Sequence, residues 1–299
     1  VYMQSIIEVM QSQLWFYLTT VGLVSLCVGS FLNVVIYRLP LMMQREWQSE
    51  CRLLLDDELN TNQAKPKNTS EPFNLVKPNS TCPKCKTAIK PWQNIPIISW
   101  LILKGKCASC SNPISIRYPA IEAITALLSL VVAYTFGATE QALLYIVITW
   151  ALVALTFIDI DHMLLPDQLT LPLVWLALIA AVAGITITPS DAIIGSVFGY
   201  LSLWSVFWLF KLLTGKEGMG YGDFKLLALF GALLGWQSLL TIILLSSVVG
   251  AIIGIALLSI QGKDKATPIP FGPYLAIAGW ITLLWGNHLE SAYFNLIGY

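Results

Sequence analysis

The sequence predicts an all-α, polytopic membrane protein: about eight transmembrane helices, with one small extramembrane module between the first and the second. Three observations predict it. Of 299 residues, 56% are hydrophobic and only 11% charged, where an ordinary soluble domain carries roughly 25% charge. The apolar residues gather into about eight runs long enough to span, near residues 14–37, 119–136, 141–158, 169–187, 190–213, 224–236, 238–260 and 272–288. All 17 Lys and Arg residues lie in, or within a few residues of, the alternate connecting segments 38–118, 159–168, 214–223 and 261–271.

That sorting sets the topology. Basic residues stay on the cytoplasmic side of short loops, so those four segments are cytoplasmic and both termini lie outside. The first run has no basic residue before it and Arg38 after it. It is too long for the apolar stretch of a signal peptide and is read as a retained span. Three parts follow: 1–38, a first transmembrane helix with a periplasmic N-terminus; 39–118, a cytoplasmic domain; and 119–299, a seven-helix membrane domain. The sixth run is short and ends at Gly235-Trp236-Gln237. It is expected to tilt, or to start below the membrane surface and sink Asp223 into a cavity. The formal net charge of zero gives no support for nucleic acid as a partner. The lipid bilayer is the surrounding solvent.

The cytoplasmic part divides in two. Gln44–Pro78 is polar, with Asp56-Asp57-Glu58 followed by a Lys/Asn/Pro-rich stretch, and reads as a flexible linker or short helical arm. Beyond it, Cys82-Pro83-Lys84-Cys85 and Cys107-Ala108-Ser109-Cys110 are separated by 21 residues. Two Cys-x-x-Cys pairs at this spacing form two knuckles that complete a tetrahedral four-sulfur zinc site. A reducing cytoplasm disfavours disulfides. Cys82, Cys85, Cys107 and Cys110 leave no open coordination position, so the Zn2+ is structural and 82–110 is a zinc-binding module. Cys27 packs within the first span.

The chemistry is expected elsewhere. Gly218-Met219-Gly220-Tyr221-Gly222-Asp223-Phe224-Lys225 lies between two apolar runs. An aspartate at a membrane boundary is costly unless something uses or pairs it. A second candidate is Asp159, at the end of the third span in Asp159-Ile160-Asp161-His162. Two spans separate Asp159 from Asp223, and an even number of crossings returns the chain to the same side, so the two can meet at the cytoplasmic boundary. Close carboxylates in a partly desolvated site share a proton; one then activates water while the other protonates the leaving group. Asp161 points to nearly the opposite helix face from Asp159 and is the weaker alternative. His162 reads as an ordinary loop histidine, and Asp167 as an N-cap. Glu122, four residues into the second span, needs a polar partner.

Taken in order, Ser30-Phe31-Leu32-Asn33-Val34-Val35-Ile36-Tyr37-Arg38-Leu39-Pro40, the paired Cys-x-x-Cys, Asn94-Ile95-Pro96, Arg117-Tyr118-Pro119 with Glu122, Phe157-Ile158-Asp159-Ile160-Asp161-His162 with Leu165-Pro166-Asp167, and Gly220-Tyr221-Gly222-Asp223-Phe224-Lys225 resemble the bacterial type IV prepilin peptidases over residues 25–273. The resemblance implies an inner-membrane aspartyl protease of the Gly-x-Gly-Asp type, multi-pass, with its active site at the cytoplasmic face. It would cut the leader from type IV prepilins and type II secretion pseudopilins after a glycine. It would then methylate the new N-terminal amine with S-adenosylmethionine. The catalytic pair maps onto Asp159 and Asp223, supported by Gly220, Gly222, Lys225, Asp161 and Asp167. Gly105 and Lys106 match a segment linked to methylation, and Glu122 is a further candidate there. No Gly-x-Gly-x-x-Gly places the methyl donor.

Two other readings compete. A peptidase without methylation would keep the zinc module as a scaffold. An ion-coupled transporter would use the boundary aspartates as ion ligands, but it predicts repeated halves and polar groups within several spans. The sequence has no internal repeat, and its fifth and seventh runs are almost uniformly apolar.

Overall fold

The computed structural model describes residues 8–59, 73–261 and 270–297. The middle of the polar linker and the basic segment around Lys263 and Lys265 lie outside the described residues. Among the described residues nine principal helices follow one another: α1 (Leu14–Leu59), α2 (Ile98–Ile102), α3 (Arg117–Phe136), α4 (Glu140–His162), α5 (Asp167–Val182), α6 (Pro189–Thr214), α7 (Tyr221–Leu234), α8 (Gln237–Gln261) and α9 (Gly272–Ile297). A short 3-10 turn, Pro91–Asn94, precedes α2. Among the described residues β pairing is confined to two isolated bridges, Thr81 with Ala88 and Lys106 with Pro113.

Each of the eight apolar runs holds a helix, as the sequence predicts, although that of the run 169–187 ends at Val182, and the chain is a multi-pass membrane protein. Five helices, α1, α3, α4, α6 and α8, are long and apolar enough to cross a membrane. At 16 and 14 residues, α5 and α7 are shorter. Among the described residues, length and composition thus account for five of the eight expected crossings. One boundary moves substantially. The first helix does not stop at residue 37 but runs through Pro40 to Leu59. Proline removes only one helical hydrogen bond, and the next nineteen residues, rich in Leu, Met, Gln, Arg and Glu, contain no glycine or second proline to end the helix. The first part of the linker is therefore a helical arm.

Helix ends are set by local signals. Thr139 Oγ1 accepts from Ala142 N–H at 3.1 Å and starts α4. Thr188 does the same for α6 through Asp191 N–H. Met163, in the left-handed region, returns its N–H to Asp159 O and closes α4. Gly215, at φ +70°, ends α6.

The chain divides into two compact units. One comprises Val1–Thr19 with Ser129–Tyr299. Its centre is α7, buried on all sides from Leu226 to Leu233 and packed against α5, α6, α8 and α9. The tightest contact is with α6. A Cβ built on Gly195 would fall 2.1 Å from Gly231 O, and one on Gly199 2.7 Å from Leu227 O. Small residues four apart let two backbones touch, which is how helices associate where apolar burial gives no advantage over lipid. Trp280 Nε1 donates to Thr149 Oγ1 at 3.1 Å and joins α9 to α4.

The other unit is Thr20–Leu128. Here α1 lies against the first turns of α3. A Cβ on Gly29 would sit 2.8 Å from Glu122 Cα, and Asn33 Nδ2 donates to Tyr118 O at 3.2 Å. Buried Arg38 donates to Asn74 O at 2.9 Å and Pro78 O at 2.7 Å. With Arg45 it also stacks on Phe73. The arginine thereby ties the chain entering the cysteine module to α1.

Candidate active site and metal centre

In the larger unit, Asp159 lies in the last turn of α4 and Asp223 in the first turn of α7. Both are buried, 5% and 7% exposed, and the Asp159 charge is felt at Asp223. Asp161 and His162, two and three residues on, are exposed. The helix period thus turns one carboxylate inward and the next outward. Asp223 is not an N-cap. Gly220 occupies that position, in extended conformation, and Asp223 is the third residue of α7, where the helix dipole favours an acidic group.

A third element completes the site. Gly272 N–H, the first of α9, donates to Asp159 Oδ2 at 3.1 Å. The first N–H groups of a helix have no partner of their own, and a carboxylate is a fitting acceptor. The approach requires glycine, because a Cβ on residue 272 would lie 2.6 Å from Asp159 Oδ2 and 3.1 Å from Leu165 Cδ1. Leu165 also meets the other arm. A Cβ on Gly222 would fall 2.6 Å from Leu165 Cβ. One buried leucine therefore touches both the turn that carries Asp223 and the glycine that holds Asp159. Lys225 Nζ pairs with Asp167 Oδ1 at 2.5 Å and fastens the starts of α5 and α7 together.

In the smaller unit, the four sulfurs of Cys82, Cys85, Cys107 and Cys110 lie within 4.8 Å of one another, with Cys82 and Cys110 at 3.7 Å. Tetrahedral zinc–sulfur bonds of about 2.3 Å place sulfurs about 3.8 Å apart, so the donor set fits a zinc ion. Each pair sits in its own turn. Lys86 N–H returns to Cys82 O and Ser111 N–H to Cys107 O, both at 2.9 Å. Thr87 hydrogen bonds hold the Cys85 thiol down at about 6. The Ser109 and Cys110 backbone N–H groups lower that of Cys107. Cys110, although Asn112 N–H favours its thiolate, is pushed up to about 11 by desolvation and its three sulfur neighbours. Four sulfurs this close do not all ionise unaided; a dication is what stabilises them together.

The comparisons decide the family. Residues 23–136 match the bacterial peptidase A24 N-terminal domain and residues 146–255 the type IV leader peptidase family. Proteins named prepilin leader peptidase/N-methyltransferase are similar over nearly their whole length. The one from Pseudomonas aeruginosa is 57% identical over 93% of each chain. That from Aeromonas salmonicida is 53% identical over 99% of this chain and all of its own, and that from Legionella pneumophila 47% over 95% and 96%. The chain belongs to the type IV leader peptidase family. No solved structure matches it.

Within this peptidase family chain, the other expected residues fall as follows. Gly220 is the N-cap of α7 and Gly222 the second residue of that helix. Asp167 is the first residue of α5, behind Pro166 as N-cap, and its carboxylate serves Lys225 rather than capping the helix. Glu122 has the polar partners its burial requires: Ile97 N–H donates to Oε2 at 2.7 Å, and the Ser30 hydroxyl bonds it too. Ile97 is held at φ +59°, unusual for a β-branched residue. Gly105 is buried at φ +67° against Trp100, and Lys106 is exposed beside it. The sequence reading assigned no role to Gly272 or Leu165. The signal for Gly272 was present, a glycine between Phe271 and Pro273 at the mouth of an apolar run.

Proposed function

We propose that the chain is a membrane aspartyl endopeptidase that removes the leader of type IV prepilins and pseudopilins after a glycine, at the cytoplasmic face of the bacterial inner membrane. It then N-methylates the new N-terminal residue. The observation that carries the reading is the meeting of Asp159 and Asp223, two buried carboxylates from different helices, at one glycine-lined corner of the larger unit. The names of the relatives support both activities.

The pair works as one acid–base unit. One ionised carboxylate takes a proton from water as the water attacks the scissile carbonyl. The protonated partner donates to the leaving amine. Gly272 N–H fixes the orientation of Asp159, so one of its oxygens is committed to that bond and the other is left for chemistry. Packing by Leu165 excludes water from the corner behind the pair, which strengthens every electrostatic interaction there.

An eight-span, both-ends-outside topology would bring residues 159 and 223 to the side that carries the basic residues, where the leader is cut in this reading. Methylation uses S-adenosylmethionine as co-substrate. The donor is charged and cytosolic, so its site faces the cytoplasm, and Gly105, Lys106 and Glu122 are the residues we assign to shaping it. Zn2+ on the four cysteines supplies a rigid fold for that region and takes no part in the peptide-bond chemistry. The test is mass spectrometry of a co-expressed pilin N-terminus, which reports cleavage and methylation together. A pilin that keeps its leader in the presence of the intact chain overturns the reading.

A further inference from the structure

The helix α2 is five residues long and has two faces. Trp100 turns inward: its Nε1 donates to Ile114 O at 3.1 Å, and its ring occupies the space into which a Cβ on Gly105 would project. Ile98, Leu101 and Ile102, spaced along one helical face, are 54%, 61% and 74% exposed. Ile116, the last residue before α3, is exposed as well. A water-facing module would not leave such a group uncovered.

The depth of α2 says what covers it. Ile97 N–H, immediately before α2, donates to the carboxylate of Glu122 at 2.7 Å. Glu122 stands five residues beyond Arg117, the start of α3, which is about 7.5 Å along the helix axis. So α2 begins beside the second turn of a helix apolar enough to cross a membrane, not out at the tip of the module. Around it in sequence stand Lys90, Lys104 and Lys106, all exposed. An exposed aliphatic face with basic neighbours, at the level of the first turns of a span, is the chemistry of a helix lying in the membrane interface.

We propose that α2 is an interfacial helix whose Ile98–Leu101–Ile102 face lies in the headgroup–acyl boundary of the lipid bilayer. This rests on the reading of α3 as a span. The anchoring has a consequence for the turn that follows α2. Gly105 N–H returns to Trp100 O at 2.9 Å and Lys106 N–H to Leu103 O at 3.0 Å. The Gly105-Lys106 turn is thereby held at the membrane surface, with the Lys106 ammonium among anionic headgroups. A substrate whose apolar segment stays in the bilayer presents its terminal amine at that same plane.

The experiment uses the full chain in phosphatidylethanolamine–phosphatidylglycerol vesicles, with acyl chains either plain or brominated both near the headgroup end, to report on α2, and near the chain end, to report on Leu127, about 15 Å along α3. A genetically encoded fluorescent amino acid replaces one residue at a time: Ile102, Ile98, Lys84 in the cysteine module, or Leu127, which is exposed on α3. Brominated lipid should quench positions 98, 102 and 127 by at least about twofold more than position 84. If 127 is quenched while 98 and 102 behave like 84, water or protein covers α2 and the proposal falls. If 127 is not quenched, α3 is not a span, and the proposal falls with that reading. Leader cleavage by the same labelled chains is scored separately, so loss of the functional reading is not confused with loss of the surface.

Discussion

The aspartate pair and the cysteine cluster solve the same problem, bringing like-charged groups together, in opposite ways. The cysteines sit in two turns of four residues each, and each turn is closed by its own backbone hydrogen bonds. Their sulfurs converge through local geometry, in a region of exposed side chains, and a cation is the group that reconciles their charges. The aspartates stand 64 residues apart. No local rule joins them; helix packing does. Gly195 against Gly231, Leu165 against Gly222 and Gly272 each allow a contact that one methyl group would prevent. The lesson concerns what holds each site. A metal-type centre tolerates a soft surrounding, whereas an acid–base pair inherits its precision from every close contact behind it.

The comparison breaks first at the aspartates themselves. Asp159→Ala or Asp223→Ala should lower leader removal by about 10³-fold or more, because each takes away an acid or base that nothing nearby replaces. Asp→Asn at either position should do nearly the same, since the amide keeps the shape but shuttles no proton. The Asp161→Ala change, on the exposed face, should leave most activity. The measurement is the rate of leader cleavage in membranes, with accumulation of the chain checked by immunoblot. Full processing by either single alanine variant at 159 or 223 would sink the assignment.

The next effect in size tests whether packing sets the site. Gly272→Ala puts a methyl group 2.6 Å from Asp159 Oδ2, so the carboxylate or α9 must move. A displacement on the ångström scale reduces rate by about 10²-fold. The loss should appear in kcat with KM little changed, since the contact acts on the reacting group and not on the bound leader. Gly286→Ala, also in α9, is the control, because its backbone is not in the left-handed region and a Cβ there meets only Thr282 Cγ2, at 3.4 Å. Equal effects at the two positions would mean that glycine flexibility, not the contact with Asp159, is what matters.

The two sites also differ in how far the sequence reveals them. Charge sorting and apolar runs were enough to place eight helices, because a bilayer demands long apolar segments and leaves the basic residues on one side. The zinc-type cluster was legible from spacing alone. Asp159 and Asp223 were legible as cost: buried carboxylates need a reason. What the sequence concealed is of two kinds. The run of α1 to Leu59 was half hidden, because the apolar signal stops at Arg38 and the polar residues beyond it read equally as a flexible linker or a short helical arm. Leu165 and Gly272 were hidden because their importance lies in whom they touch, and a leucine in a membrane protein carries no mark of it. Asp167 illustrates both. Its position before an apolar run suggests a cap, yet its partner Lys225 is 58 residues away.

A smaller effect on cleavage is expected at the metal. Protein purified without chelators should hold about one zinc per chain. Replacing Cys82 and Cys107 together with serine should release it and make residues 82–110 sensitive to protease. Cleavage should fall less than in Gly272→Ala, because the cluster and the aspartate pair belong to different compact units. Elemental analysis without zinc, or disulfides trapped in intact cells, would count against a structural metal. Loss of cleavage as deep as that of the aspartate variants would show that the peptidase depends on the module.

The smallest effect on cleavage, and the sharpest separation, is expected at Gly105 and Lys106. Proteolysis needs two carboxylates fixed by packed helices. Methyl transfer needs a deprotonated amine brought up to a charged, cytosolic donor, and desolvation or a nearby base favours the neutral amine. Gly105 stands at φ +67° with Trp100 2.9 Å from where its Cβ would be, so Gly105→Ala must shift the turn by a few tenths of an ångström. Lys106→Ala removes only an exposed charge and leaves the backbone alone. Both should reduce methylation, Gly105→Ala by roughly tenfold, the scale of a sub-ångström misplacement, and Lys106→Ala by loss of its charge, while cleavage stays within about twofold and zinc content is unchanged. The converse variant completes the separation. Asp223→Ala, given a pilin already freed of its leader together with S-adenosylmethionine, should methylate it, since the aspartates matter to the second step only by releasing the amine. If folded, zinc-loaded Asp223→Ala fails on the pre-cleaved pilin, the two reactions share the aspartates, and the division between an acid–base pair held by packing and a methylation site built on the cysteine module is wrong.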